Sequence, residues 1–350
     1  WHLLKSIGEP KNMTKPIAIT MGDPAGVGGE LTISAWLAKH TSSNAFYVYD
    51  CPRRLQALAR HLKVDLAIAE ISQPEEAFSC FSKALPVLPV TLPSLPVPGQ
   101  PNPQHAEFAI QSIELAVKAC MSGQAAGVVT NPVYKKSFYD AGFKYPGQTE
   151  FVGAISDPSA LPLMLLAGPS LKVVPLTTHL PLIDAVKSVT SERIFTVCTA
   201  MAKSLAQDFG FSPPRIAISG LNPHAGEEGK MGTEEVEIIE PAIKALNGRG
   251  LSVVGPLSPD SMFHNEARES YDAALCMYHD QALIPLKTLD FYSGVNITLG
   301  LPIVRTSPDH GTAFNIAGTG SVDSSSFLAA IEFAEAISGR RNATKSNAIS

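Results

Sequence analysis

The chain has 350 residues, of which 45% are hydrophobic and 17% charged, so it can bury a large core and exceeds the usual size of one domain. Its formal net charge of -5 and the lack of a Lys/Arg block argue against nucleic acid and anionic membranes as partners. The longest apolar runs, such as residues 161–168, are too short to span a bilayer.

The compartment is predicted from the cysteines and the N-terminus. Five widely separated cysteines, none in a C-x-x-C pair, predict reduced thiols in a cytoplasmic protein. The first residues lack the apolar length and the small-residue cleavage site of a signal peptide. Met13 is predicted to be the natural start, which makes residues 1–12 an upstream extension or a leader.

Predicted strands and helices alternate along the chain. Most of the strands are near-continuous apolar runs, typical of strands covered on both faces; they span residues 16–20, 45–50, 127–130, 172–178, 215–219, 273–278 and 294–300. Asn102 is predicted to cap a helix from Pro103 to Gly123, and Thr190 to cap another that runs towards Gly210. This alternation predicts an α/β fold with a largely parallel sheet.

Residues 85–103 break the alternation with seven prolines. A polyproline ligand for a partner protein is one interpretation. Leu and Val between the prolines favour burial, so an extended edge strand or a crossover along the surface is the preferred prediction.

Three histidines share one topological position. His179, His224 and His279 each lie in the loop that leaves a predicted strand, where ligand sites form in open α/β sheets. Three imidazoles there are a candidate metal site with positions open for substrate oxygens. A single loop histidine is more often solvated or a helix cap, so the pattern alone leaves both interpretations open.

Polar residues near these loops are candidates for proton transfer and anion binding. Asp280 could orient the neighbouring imidazole or take a proton, and Asp260 is a second candidate base; each could equally cap a helix. Lys287, Asn296 and Arg305 would suit a phosphate and a carboxylate if they converge. Surface charge is the alternative for the lysine, whereas the apolar context of the arginine makes an unpaired charge costly there.

Two glycine-bearing loops are candidates for nucleotide binding. Residues 22–30 follow the first strand but match neither the dinucleotide fingerprint nor the P-loop. They could cradle an anion at a helix N-terminus or form only a tight turn. Residues 307–323 could hold an adenine without a Rossmann crossover.

Long blocks of the chain resemble one family. These blocks are MGDPAGVGGE, TNPVYK, GQTEF, GLNPHAGEEGKMGTEE, MYHDQALIPLK and GVNITLGLPIVRTSPDHGTAFNIAG, in that order between Lys15 and Gly318. They are similar to the signatures of the 4-hydroxythreonine-4-phosphate dehydrogenases. The resemblance implies two α/β/α lobes of the isocitrate/isopropylmalate dehydrogenase-like type with the active site in the interlobe cleft. The expected lobes are residues 13–135 plus 305–340, and residues 136–304, which carry most of the metal and substrate residues.

The resemblance also implies roles for individual residues. The implied ligands of a divalent metal (zinc, cobalt or magnesium), shared between the subunits of a homodimer, are His179, His224 and His279. The implied substrate-binding residues are Gln148, Thr149, Lys287, Asn296 and Arg305. Those implied for NAD or NADP are His310, Gly311 and Thr312, and those implied for catalysis are Asp260, Asp280 and Lys287. Gln148 departs from the histidine usual in the family; its amide keeps hydrogen-bonding ability but carries no proton or charge.

The implied reaction is a metal-dependent, NAD(P)-linked oxidation of the C3 hydroxyl of 4-phosphohydroxy-L-threonine. β-Decarboxylation to 3-amino-2-oxopropyl phosphate follows, in pyridoxal phosphate biosynthesis. A dehydrogenase of the same family that acts on a threonate or erythronate phosphate or on a dihydrodiol is the alternative suggested by Gln148. A three-histidine zinc hydrolase is an alternative of another class, and a non-catalytic binding protein is disfavoured because it needs neither the metal triad nor an adenine loop.

Overall fold

The computed structural model describes residues 13–347, so the predicted extension at 1–12 lies outside the described residues. Two compact units form this part of the chain: a first unit of residues 13–162 with 301–342, and a second unit of residues 163–300 with 343–347. Residues 136–162, expected in the second lobe, fall in the first unit. The reason is that helix Gln148–Ser156 packs on helix Ala106–Met121.

The secondary structure alternates between strands and helices. The strands are β1 (Ile17–Thr20), β2 (Phe46–Asp50), β3 (Ile68–Glu70), β4 (Leu85–Pro89), β5 (Val128–Val129), β6 (Leu163–Ala167), β7 (Lys172–Pro175), β8 (Arg215–Ser219), β9 (Ser252–Leu257), β10 (Ala273–Cys276), β11 (Val295–Leu299) and β12 (Arg305–Pro308). The α-helices are α1 (Gly28–Lys39), α2 (Pro52–His61), α3 (Ala77–Cys80), α4 (Ala106–Met121), α5 (Lys135–Asp140), α6 (Gln148–Ser156), α7 (Leu182–Lys187), α8 (Ser191–Ser204), α9 (Glu240–Gly248), α10 (Asn265–Glu269), α11 (His279–Asp290) and α12 (Ser325–Asn347).

The first unit contains parallel strands in the order β3-β4-β2-β1-β5-β12. Every residue of β1 and β2 is buried, as expected where helices cover both faces of a sheet. Helix α4 packs against both of these strands, and α1 packs against α2. β12 comes from the far end of the sequence and pairs with β5, with Arg305 opposite Val128.

The second unit contains the strand order β11-β6-β7-β10-β8-β9. β6 runs antiparallel to both of its neighbours, whereas β7, β10, β8 and β9 are parallel. Cys276 at the end of β10 lies opposite Pro175 at the end of β7. The loops that leave the carboxyl ends of β7, β10 and β8 therefore lie side by side.

The predicted α/β class and largely parallel pairing are confirmed, and each of the seven predicted strands is present within a few residues of its expected bounds. β3, β6, β9 and β12 were not predicted, and β4 falls in the proline-rich segment. β4 and β9 contain proline, β3 is short, and β12 has the polar sequence RTSP. Pairing with neighbouring strands, which sequence periodicity does not register, makes these segments extended.

Both predicted helix caps are confirmed. Asn102 Oδ1 accepts from the Gln104 amide at 3.0 Å, and a short 3₁₀ turn leads into α4. Thr190 Oγ1 accepts from the Arg193 amide at 3.2 Å at the start of α8. That helix widens into a π-turn that ends at Gly210, whose φ of 76° is left-handed.

The proline-rich segment begins with an extended strand, as predicted, but β4 is not an edge strand, which was one of the two predicted forms. β4 lies between β2 and β3 and pairs with both. Further along, the amide of Gly99 donates to the carbonyl of Ala25 at 2.8 Å, so the segment is fastened to the first unit. No helix within residues 13–347 is both long enough and apolar enough to cross a membrane.

Candidate functional site

His179 and His279 lie next to each other at the carboxyl ends of β7 and β10. Their ring centroids are 6.0 Å apart. Both line a cavity of about 330 Å³. Its other lining residues are Thr178, Leu180, Leu182, Ala185, Tyr278 and Asp280. His179 is exposed and His279 is half-buried, so both imidazoles are accessible to a ligand that enters the cavity.

Each of two histidines has a carboxylate on its Nδ1 atom. Asp280 Oδ1 lies 2.7 Å from Nδ1 of His279, and Asp260 Oδ2 lies 3.6 Å from Nδ1 of His224. The pKa of Asp260 is lowered, first by the hydrogen bond from the Ser258 hydroxyl and then by His224. The N-cap of α10 is His264, so Asp260 does not cap that helix and stays available to a ligand.

The chemistry of these donors suits a divalent metal. Imidazoles are common ligands of zinc and cobalt, and a ligating histidine usually gives its other nitrogen to a carboxylate. Within residues 13–347, no three His, Cys, Asp or Glu side chains come close enough together to hold a metal ion. The described residues supply the pair His179 and His279, and His224 lies beside Asp260.

The loop that carries His224 has an unusual backbone. His224, Ala225, Gly226, Glu227 and Glu228 all have positive φ, between 41° and 76°. Left-handed conformation costs a non-glycine residue about 1–2 kcal/mol, and such strain clusters at functional sites. The backbone approaches other atoms closely at Gly226, where an added Cβ would lie 2.5 Å from Glu235 Oε2.

Two further candidates of the second unit lie on α11 and β11. Lys287 is half-buried, and its Nζ lies 5.6 Å from the ring centroid of Phe291. Asn296 is half-buried on β11, and its Oδ1 is buried without a hydrogen-bond partner among the described residues. A buried acceptor without a partner is costly, which makes this amide a candidate for a ligand contact.

The first unit brings Arg305 and Thr149 together. The guanidinium donates from Nη1 to Thr149 Oγ1 at 3.3 Å and from Nη2 to Thr130 Oγ1 at 2.7 Å. Arg305 is only 3% exposed, and burial lowers its pKa to about 10, so it remains charged at neutral pH. Thr149 lies in the first turn of α6, where backbone N–H groups and the helix dipole favour an anion.

Gln148 is the first residue of α6. Its Nε2 donates to the carbonyl of Asn131 at 3.3 Å. Its Oε1 is buried without a hydrogen-bond partner among the described residues. The amide is therefore held at one end and has an acceptor atom left over at the helix N-terminus.

The two glycine-bearing loops of the first unit contact each other. The amide of Val27 donates to the carbonyl of Thr312 at 3.1 Å, and buried Glu30 accepts from the amides of Gly318 and Gly320. Residues 22–30 thus use their polar groups to seat the loop at 310–320. This favours the tight turn over the anion cradle. The imidazole of His310 contacts the carbonyl of Gly311 at 3.0 Å, and its Nε2 is buried without a partner in the described chain.

Comparison with known proteins decides the family. The profile of the pyridoxal phosphate biosynthetic protein PdxA family matches residues 43–334. The 4-hydroxythreonine-4-phosphate dehydrogenase of Bradyrhizobium diazoefficiens is 47% identical over 332 residues, which cover 91% of this chain and 96% of that protein. The crystal structure of 4-hydroxythreonine-4-phosphate dehydrogenase from Klebsiella pneumoniae has a TM-score of 0.82 at 37% identity, over 93% of this chain and 100% of that one.

The chain belongs to the PdxA family. It is accordingly an oxidoreductase of pyridoxal phosphate biosynthesis, and the predicted family and enzyme class are confirmed. Membership of this dehydrogenase family implies an NAD-type cofactor and a metal. A more distant solved structure, terephthalate 1,2-cis-dihydrodiol dehydrogenase from Burkholderia xenovorans, has a TM-score of 0.60 at 25% identity, over 92% of this chain and 98% of that one. The zinc hydrolase gains no support from this membership.

Sequence reasoning missed the residues of this PdxA protein that hold the histidine loops in place. Buried Gln281 and Glu235 contact the backbone next to these loops. A glutamine after His-Asp and a glutamate at a helix start look ordinary in a sequence. Their role becomes visible only in the structure, where both side chains are buried and, as buried polar groups usually are, hydrogen-bonded.

Proposed function

We propose that the chain oxidises the C3 hydroxyl of 4-phosphohydroxy-L-threonine with NAD or NADP, and that loss of CO₂ then gives 3-amino-2-oxopropyl phosphate. The observation that carries this proposal is the buried, charged guanidinium of Arg305, which donates a hydrogen bond to Thr149 at the N-terminus of α6. Relatives along nearly the whole chain bear the name of this enzyme.

The site around Arg305 suits a phosphate or a carboxylate. Two hydroxyls that accept from its guanidinium are neutral and orient the fork, and the Glu150 carboxylate favours its charged form. A planar guanidinium binds such anions with two parallel hydrogen bonds, and the first turn of α6 adds N–H donors. Thr149 and Gln148 would complete the contacts with the anionic group.

His179, His224 and His279 would hold the divalent metal (zinc, cobalt or magnesium). When bound, the metal would lower the pKa of the substrate hydroxyl and offset negative charge that develops as CO₂ leaves. Asp280 fixes the ring of His279 through Nδ1, which leaves Nε2 as the ligand atom. Asp260 would accept the hydroxyl proton at its carboxylate, because it is exposed and lies beside His224.

Lys287 and Asn296 would hold the other polar groups of the substrate. The ammonium of Lys287 suits a carboxylate, and the amide of Asn296 has an Oδ1 with capacity for a hydroxyl or an amine. His310, Gly311 and Thr312 would bind the adenine end of NAD or NADP. Nε2 of His310 is available for a hydrogen bond there.

A homodimer that shares each metal site completes the proposal. Within the second unit, large apolar side chains are exposed just after His179 and on or just beyond α11: Leu180, Leu182, Ile183, Ile284, Phe291 and Tyr292. Exposed apolar groups in such numbers mark protein–protein contact surfaces, and donors from a partner would complete the ligand set that the described residues leave incomplete. All five cysteines are free thiols, which supports a reducing, cytoplasmic compartment.

A second candidate is oxidation of a different diol by the same chemistry. Gln148 supplies no charge to an anion, and one solved relative is named as a dihydrodiol dehydrogenase. Threonate or erythronate phosphates and aromatic dihydrodiols are the substrates to compare.

A substrate panel tests both candidates. The purified protein is assayed for reduced cofactor with each substrate, with NAD and NADP, and with zinc, cobalt or magnesium added back after chelation. The proposal expects the highest kcat/KM with 4-phosphohydroxy-L-threonine and no activity without metal. A dihydrodiol or another phosphate as the preferred substrate would select the second candidate, and no cofactor reduction with any substrate would overturn both.

A further inference from the structure

We infer that Gln281 is a positioning residue that sets the relative placement of the three histidine loops. The inference rests on the proposed metal site and names a residue that acts through its ligands. Gln281 lies in the first turn of α11, two residues after His279. It is 7% exposed, so it faces the interior and not the cavity of His179 and His279.

The side chain of Gln281 joins the ends of β8 and β10. Its Oε1 accepts from Ser219 Oγ at 2.7 Å and from the Met277 amide at 2.7 Å. Its Nε2 donates to the carbonyl of Gly220 at 2.8 Å. Ser219 and Gly220 lead into the loop of His224, and Met277 leads into His279, so one amide ties the origins of two histidine loops together.

The loop of His179 is tied to the same point. Thr177 Oγ1 donates to the carbonyl of Met277 at 2.9 Å, and the Leu176 amide donates to the carbonyl of Cys276 at 2.7 Å. Met277 is therefore held through its N–H by Gln281 and through its C=O by Thr177. A continuous buried chain of hydrogen bonds runs from the His179 loop to the His224 loop.

Only a primary amide of this length satisfies every contact. Oε1 uses both of its lone pairs and Nε2 supplies a donor. A glutamate would keep the acceptor but place a carboxylate against the carbonyl of Gly220, and a leucine would remove all three contacts and leave buried polar groups without partners. The structure thus predicts that Gln281→Glu disturbs mainly the His224 loop, and that Gln281→Leu releases the His224 loop from the end of β10, which also holds the His179 loop.

The test compares metal affinity with stability. Gln281→Leu, Gln281→Glu and the wild type are titrated with Zn²⁺ against a chromophoric chelator, and the visible spectrum of the Co²⁺ form reports ligand geometry. Asn247→Ala is the matched control, because Asn247 also bridges two elements with an amide, donating to the carbonyl of Val253 at 2.9 Å and accepting from its amide at 3.0 Å. That contact lies at the opposite, amino end of β9.

The expected result is metal affinity about 10–100-fold weaker for Gln281→Leu, the range found when residues that orient metal ligands are replaced, with a changed Co²⁺ spectrum. Gln281→Glu should fall between Gln281→Leu and the wild type, and it keeps the test valid if the leucine variant fails to fold. Asn247→Ala should lose stability but keep the wild-type affinity and spectrum.

Two contrary outcomes are distinguishable. Wild-type affinity and an unchanged spectrum in both Gln281 variants, with His279→Ala abolishing binding, would overturn the positioning role alone. If the wild type binds no metal, or if His279→Ala binds as tightly as the wild type, the proposed metal site falls and the role of Gln281 falls with it.

Discussion

Arg305 illustrates how much one residue reveals about a site. Its apolar sequence context predicted that an unpaired charge there would be costly. The side chain is buried, and its guanidinium donates hydrogen bonds to Thr149 and Thr130. The sequence could not predict these two hydroxyls as its partners, because they lie 156 and 175 residues away along the chain. Long-range contacts of this kind leave no periodic signal.

Replacing Arg305 should weaken substrate binding selectively. Arg305→Ala is expected to raise KM for the phosphorylated substrate about tenfold to a hundredfold, because a charge-assisted hydrogen bond contributes about 1.5–3 kcal/mol, and to leave KM for NAD nearly unchanged. Initial rates of cofactor reduction, with each ligand varied in turn, measure both constants. Arg215→Ala, at a half-exposed ion pair with Asp272, serves as the control. Unchanged constants in Arg305→Ala would make Arg305 structural.

The Gln148 position gives a pH-dependent prediction. Gln148→His should strengthen binding of 4-phosphohydroxy-L-threonine below about pH 6.5, where an unperturbed imidazole is charged, and lose this advantage above it. KM measured at two pH values for both proteins checks the change. Gln148→Asn controls for the altered packing. If KM responds to pH equally in wild type and Gln148→His, the position contributes a neutral hydrogen bond and Gln148 does not mark a different substrate.

At the scale of elements, the left-handed turn at 224–228 was the least predictable part of the site. A left-handed backbone is typical of glycine, but four of its five residues are not glycine. A side chain from the helical turn that follows holds the start of the loop: Glu235, 1% exposed, accepts from the amides of Leu221 and Asn222 at 2.7 Å each. A local sequence preference cannot encode a turn that another element enforces.

Two glycines in this segment separate conformational strain from packing. Gly226 and Gly229 both have positive φ, 76° and 86°, but only at Gly226 would a Cβ meet other atoms. Gly229→Ala should therefore lower the free energy of unfolding by about 1 kcal/mol, and Gly226→Ala by about 2–4 kcal/mol because Glu235 must move as well. Denaturant unfolding measures both values, and zinc titration should show weaker binding for Gly226→Ala alone. If both variants lose the same free energy of unfolding, Glu235 moves away from the added Cβ without destabilising the fold.

Across the whole molecule, the class of fold and the alternation of elements were predictable because buried parallel strands are long apolar runs. The unit to which residues 136–162 belong was not predictable, because the packing of one helix on another decides it. Another feature invisible in sequence is a buried ion pair of the first unit. Lys39 on α1 and Glu335 on α12 lie 3.2 Å apart, and Glu335 is 2% exposed.

This pair predicts how stability depends on pH. Burial raises the pKa of Glu335, and Lys39 offsets that only in part. The stability that Glu335 contributes is then fully present below its ordinary pKa of 4.5 and is lost as pH rises through the raised value. Relative to Glu335→Gln, the wild type should gain stability between about pH 7.5 and about pH 4 in urea unfolding. The stability of the wild type relative to Glu114→Gln, at an exposed position, should not change with pH in this way. If the wild type instead loses stability relative to Glu335→Gln as pH falls, the raised pKa of Glu335 is refuted.

The pairing of β12 with β5 has a consequence for biosynthesis on the ribosome. When residue 162 leaves the exit tunnel, β1 to β5 are available, but β5 still has an open edge. Residues 163–300 of the second unit then emerge in full and can fold as a unit before Arg305–Pro308 appears. The sheet of the first unit is thus begun first and completed last. Until then the nascent chain carries an unpaired edge at β5, which is open to aggregation, for the time needed to synthesise more than a hundred residues. Arg305 arrives on that closing strand, so the contact with Thr149 forms only when nearly the whole chain has been made.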